Sequence, residues 1–147
     1  LYREYFGLFC GPRHRLFDRE EIALSDLEGE PSVSFQTEAE DGPLEPVARL
    51  RARARIAAGW RGVSSNLHEL RRMIVPDIGI GVLPLHVARR DVDLGRLRQV
   101  PPYDDLPVVD IYLLTNPDRR LSDAEAAFLS QLDMAIATTD LEARTYS

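Results

Sequence analysis

The sequence predicts an α/β domain built around a largely parallel sheet. Two observations carry this. Short apolar runs, rich in β-branched and aromatic residues, alternate with segments of helical periodicity along the 147 residues. One stretch, Val63 to Leu85 (VSSNLHELRRMIVPDIGIGVLPL), holds the complete unit: strand end, polar loop, capped helix, glycine turn, buried strand and proline stop. The length suffices for one domain with its own core. No apolar run approaches the roughly 20 residues of a membrane span.

The elements follow in order. Tyr5 to Cys10 is a strand candidate closed by Gly11-Pro12. Ser25 can cap a short turn of helix through Leu27, which Gly29 ends. Pro31 to Phe35 is a second short strand, and Gln36 to Pro46 an acidic loop. Pro46 suits a helix start, and Val47, Leu50, Ala54, Ala57 and Ala58 make its apolar stripe up to Gly59. Trp60 to Ser64 is the third strand. Asn66 and Glu69 have the spacing of a capping pair, and Leu67, Leu70 and Ile74 line one face of the helix they open. Pro76 stops that helix. Gly79 and Gly81 allow a sharp turn and close packing before the buried strand at Ile80, Val82 and Leu83.

After Pro84 a short helix is expected over Leu85 to Arg89. Gly95 to Val100 and Val108 to Thr115 are strands, separated by Pro101-Pro102. Ser122 and Glu125 form a second capping pair, opening a last helix striped by Ala126, Leu129, Leu132 and Ile136. Thr138 to Ser147 is expected to fray.

Charge and composition exclude several functions. With 18 basic and 24 acidic residues the net charge is −6, and weak or no DNA binding is expected of this chain alone. Every basic residue is Arg, so lysine-dependent phosphate loops and Schiff bases are ruled out. Arg49, Arg51, Arg53, Arg55 and Arg61 project around a helix and its exit, and read as solvated faces. Cys10 stands alone, so no internal disulfide forms, and a cytoplasmic setting is expected. The chain begins with Leu1, and is expected to be a piece of a longer protein.

Motifs for catalysis are incomplete. Gly62 to Asn66 nearly matches the G-x-S-x-G nucleophile turn, but ends on Asn66. Gly79-Ile80-Gly81 resembles half a dinucleotide fingerprint, yet precedes a strand where that motif follows one. His14, His68 and His86 share no ligand spacing with Cys10, so no metal site and no cofactor are expected. Cys10 reads as a small buried residue. The start of the helix at Asn66, with free N–H groups beside a strand end, is the natural place for an anion.

The ordered set FGLFCGPRHRLF, ALSDLEGEPSVSF, GVSSNLHELRRMIVPDIGIGVLPL, GRLRQVPP and VDIYLLTNP with LSDAEAAFL resembles the effector-binding domain of LysR-type transcriptional regulators, over nearly the whole chain. Two departures stand out: His14-Arg15 where the family usually has His-Pro, and Pro76-Asp77 where it usually has a small residue and Gly.

The resemblance implies a three-layer αβα, periplasmic-binding-protein-like (type II) subdomain. It implies that residues of about 10–108 are the second subdomain of the effector domain. Residues of about 109–140 would be a return strand and helix toward the first subdomain, and 138–147 a tail. It implies a ligand-sensing, non-enzymatic module whose small effector, an organic acid by the helix-start argument, touches Ser64, Ser65, Asn66 and Leu67, with Leu83 and Pro84 at a neighbouring strand end. DNA would be reached only through a helix-turn-helix domain outside this chain. No membrane partner is expected. A homo-oligomer is expected, with the last helix or the first strand in the contact. A solute-binding-protein fragment and a small α/β hydrolase are the alternatives.

Overall fold

The structure, a computed structural model, describes residues 1–37, 42–57 and 59–147. The 38–41 part of the acidic loop, and Ala58 of the helix stripe, lie outside the described residues. The described residues form seven strands and four α-helices, with two short 3-10 turns at Leu24–Leu27 and Glu142–Arg144. The strands are β1 (Tyr2–Cys10), β2 (Ser32–Phe35), β3 (Trp60–Ser64), β4 (Gly81–Pro84), β5 (Arg98–Val100), β6 (Val108–Ile111) and β7 (Thr145–Tyr146). The helices are α1 (Glu45–Arg53), α2 (Leu67–Ile74), α3 (Leu85–Asp93) and α4 (Asp123–Thr138).

β1 is the centre. Its second half pairs antiparallel with β4 and β5, and its first half pairs with β6 antiparallel and β7 parallel. β2 pairs parallel with β3. A parallel bridge from Ser32 to Ile80 joins β2 to the start of β4, with Ile80 N–H donating to Pro31 O at 2.8 Å. The lateral order is therefore β3-β2-β4-β1-β5. β2 to β5 point one way, and β1 points the other.

The expected mainly parallel pairing is not what forms: the ladders around β1 are antiparallel with β4, β5 and β6. An apolar strand buried on both faces carries no record of its direction, so composition could not reveal this. β1 is also flanked on both sides, so it has no free edge to offer the contact between copies expected of the first strand or the last helix.

Alternation along β1 divides the core into two. Phe6, Leu8 and Cys10 face Leu16, Ile22 and Leu27 and the inner side of α1 at Val47, Leu50 and Ala54. Phe9, with Val33 and Leu83, faces Leu70 and Ile74 of α2 and Ala88 of α3. The result is three layers, with the sheet in the middle. Gly81 is needed for the second interface: a Cβ there would come within 2.5 Å of Ile74 Cδ1. The left-handed backbone at the exit of α2 falls not on a glycine but on Asp77, at φ +68°.

Several boundaries moved. α1 stops at Arg53, short of the predicted Gly59, because Arg55 turns into the left-handed region at φ +49°. α3 runs four residues past Arg89, to Asp93, because Asp91 is buried against α2. β6 ends at Ile111, and Leu113 and Leu114 are exposed. The residues expected to fray instead form a 3-10 turn and β7, which pairs with Arg3 and Glu4. Among the described residues no helix is long and apolar enough to cross a membrane.

Candidate functional site

β2, β3 and β4 run the same way and end at one edge, at Phe35, Ser64 and Pro84. α2 starts directly after β3 and α3 directly after β4, so two helix N-termini open onto that edge. Ligands of open α/β sheets sit outside such carboxyl ends.

The start of α2 is built by its own polar residues. Asn66 Oδ1 accepts from the His68 N–H at 2.8 Å and the Glu69 N–H at 3.3 Å. Glu69 does not reach back to close a capping box; its carboxylate takes Arg72 at 2.9 Å. Ser64 Oγ accepts from the Asn66 N–H at 3.0 Å and donates to the Asn66 carbonyl at 3.2 Å. Its hydroxyl is thus part of the turn and is not presented as a nucleophile. Gln36 N–H donates to the Ser64 carbonyl at 2.9 Å, tying the exit of β2 to that of β3. Donors without a partner among the described residues include the Ser65 hydroxyl, on an exposed residue, and the Leu67 N–H. They lie at the positive end of α2, where an anion is favoured.

The six predicted residues fall into two groups. Ser64, Ser65, Asn66 and Leu67 are contiguous in the loop and first turn, Ser65 and Asn66 exposed, Ser64 half-buried, and Leu67 half-buried with its side chain against the second core cluster. Leu83 is 0% exposed, packed among Phe9, Leu70 and Ala88. On a strand buried on both faces its side chain points inward, so what Leu83 brings to this edge is the strand end itself. Pro84 is buried too, pairs with Phe6, and forms the N-cap of α3. β2 stands between the two groups, a lateral separation of about 10 Å at ordinary strand spacing.

Glu4 was missed. It lies near the end of β4 and is 8% exposed. A signal existed: Glu4 is in phase with Phe6, Leu8 and Cys10, a carboxylate on the core-facing side of an alternating strand. His86, the second residue of α3, places Nδ1 3.9 Å from Glu4 Oε2. Burial raises the Glu4 carboxyl above its ordinary range and lowers the His86 imidazole.

The other histidines are apart from this pair. His14 sits 3.2 Å from Glu30, and His68 is exposed on the first turn of α2. Cys10 is fully buried, and burial pushes its thiol up to about 12, which suits an inert core residue. Of the helix arginines, Arg49 pairs with Glu45, Arg53 with Asp105 and Arg55 with Glu28, as solvated faces do.

Residues 1–136 match the family described as the LysR substrate binding domain. An uncharacterized HTH-type transcriptional regulator of Bacillus subtilis (strain 168), YwbI, is 29% identical over 133 residues, covering 88% of this chain and 42% of that protein. The chain thus spans less than half the length of that relative. Among solved structures, the effector binding domain of QuiR in complex with shikimate aligns with a TM-score of 0.66 at 17% identity, over 88% of this chain and 60% of that one. The regulatory domain of HypT from Salmonella typhimurium aligns at 0.62 and 16% identity, over 94% and 64%. The regulatory domain of Synechocystis PCC6803 CcmR in complex with 2-PG aligns at 0.61 and 18% identity, over 94% and 65%.

Proposed function

This chain belongs to the LysR substrate-binding-domain family, and from that premise we propose that it is the effector-sensing module of a transcriptional regulator, binding a small carboxylate-bearing molecule without catalysis. The observation that carries the carboxylate is the start of α2. There the Ser65 hydroxyl, on an exposed residue, and the Leu67 N–H lie at the positive end of a helix, where parallel strands end. Ser64 and Asn66 shape the loop that holds them. Leu83 backs the edge from the core, and Pro84 sets the start of α3. That neighbours of this fold were solved with shikimate and 2-PG supports a small ligand.

In this reading residues of about 10–108 form one half of a two-part effector domain, and 109–140 lead back to the other. The ligand lies between the halves. DNA is reached through a separate helix-turn-helix domain, and the regulator works as a homo-oligomer in the cytoplasm.

Thermal unfolding with a panel of small carboxylic acids, shikimate included, tests this, because a bound ligand raises the midpoint by mass action. A rise in wild type that disappears in Ser65→Trp, which fills the space before α2, supports the site. Acids that stabilise both proteins alike place it elsewhere, and a panel without effect removes the carboxylate reading.

A further inference from the structure

Four side chains converge where α3 begins beside β1 and β7. β7 lies along β1 so that Tyr146 stands opposite Glu4. The Tyr146 ring meets Tyr2 edge-on, at 5.4 Å between centroids, and tilts over the His86 ring at 5.0 Å. The Glu4 side chain is 10% exposed and donates to or accepts from no described residue; its nearest basic atom, His86 Nδ1, is 3.9 Å away, beyond hydrogen-bond range.

A buried carboxylate is costly unless something positive pairs with it. Among the described residues none supplies that charge within hydrogen-bond range. Burial lowers the His86 imidazole, which favours its uncharged form. Arg3 is engaged by Asp110, and Arg144 donates to the Leu1 and Thr139 carbonyls. The remaining lining is aromatic, and the faces of tyrosine rings attract cations. A carboxylate with no cationic partner within hydrogen-bond range among the described residues, beside an imidazole that itself packs on two tyrosine rings in series, is complementary to a small cation that also donates hydrogen bonds.

We propose that Glu4, Tyr2, Tyr146 and His86 form a cage for the ammonium group of a small amine. Tyr146 is half-exposed, which leaves the cage open on one side. The cage is separate from the start of α2: β4 and β2 stand between β1 and β3, a lateral span of about 14 Å at ordinary strand spacing. It stands or falls independently of the carboxylate reading.

The test titrates the full chain with methylammonium chloride, against sodium chloride at matched ionic strength, following the His86 and Tyr146 ring resonances by NMR. Saturable shifts of both rings with methylammonium alone are expected. In Glu4→Gln, which keeps the shape and removes the charge, affinity is expected to fall about ten-fold or more. Tyr146→Leu should weaken binding as well, and decides the matter if Glu4→Gln does not fold. No saturable shift in wild type, or unchanged affinity in the variants, overturns the cage.

Discussion

Arg71 on α2 donates through Nη1 to the carboxylate of Asp91 on α3. The Asp91 side chain is only 3% exposed. Its backbone carbonyl also accepts the Arg96 N–H at 2.7 Å and the Leu97 N–H at 3.1 Å. One residue thus joins two helices and the turn leading to β5. Asp91→Ala is expected to cost about 2–4 kcal/mol, because it strands a partly buried guanidinium. The Asp91→Ala/Arg71→Met double variant should lose less than the sum of the singles. Urea unfolding of the four proteins measures this, and strict additivity would show that the pair is not coupled.

Asp77 occupies the left-handed region at φ +68°, and its Oδ1 is buried without a hydrogen bond. Glycine adopts this backbone without a side-chain penalty and brings no carboxylate to desolvate. Asp77→Gly is therefore expected to stabilise the chain by about 1 kcal/mol, the strain relieved outweighing the added freedom of the unfolded state. A raised thermal midpoint is the expected reading; a lowered one would mean that the carboxylate has a partner in solution.

The features legible in the sequence were local ones. The Asn66 cap, the Ser122–Glu125 capping box and the strand at Trp60 to Ser64 formed where their residues predicted, because each depends on neighbours within a few positions. Whatever depends on distant partners was hidden. The direction of β1 is fixed by which strands flank it. The burial of Leu83 follows from two layers closing on one strand. β7 exists because Thr145 and Tyr146 find Arg3 and Glu4 from the other end of the chain. The surface loop at Ser64 to Leu67 was legible because its hydrogen bonds are short-range. The cage at Glu4 was not, since it is assembled from β1, α3 and β7.

Burial raises the Glu4 carboxyl above its ordinary 4.5. The folded chain then holds that proton more tightly than the unfolded chain does. The stability this lends is complete below pH 4.5 and is lost as pH rises through the folded-state value. Glu4→Gln cannot ionise, so it is expected to be more stable than wild type at pH 7 and equal to it at pH 4. His86, lowered by burial from 6.5, acts in the opposite sense as pH falls, but in both proteins alike. Urea midpoints at the two pH values measure the difference. A Glu4→Gln chain weaker than wild type at pH 7 would reveal a favourable partner for the carboxylate.

The last prediction concerns α4. Its amphipathic stripe forms as the spacing of Ala126, Leu129, Leu132 and Ile136 predicts, yet none of its residues is buried. Phe128 is 64% exposed and Leu114 90%. Together with Leu113, Leu121 and Leu129 they line an open apolar groove of about 470 Å³. Covering a large apolar side chain is worth about 1.5–3 kcal/mol, so several left wet on one face favour association. β1 offers no free edge, because β4 and β5 flank one half of it and β6 and β7 the other. The chain is therefore expected to self-associate through the α4 groove, with the fraction of dimer rising with concentration in sedimentation experiments. Phe128→Asp puts a charge on the groove without touching the buried core, and should return the chain to a monomer. A monomer at every concentration in wild type, or a dimer that survives Phe128→Asp, would show that this face is not where copies of the chain meet.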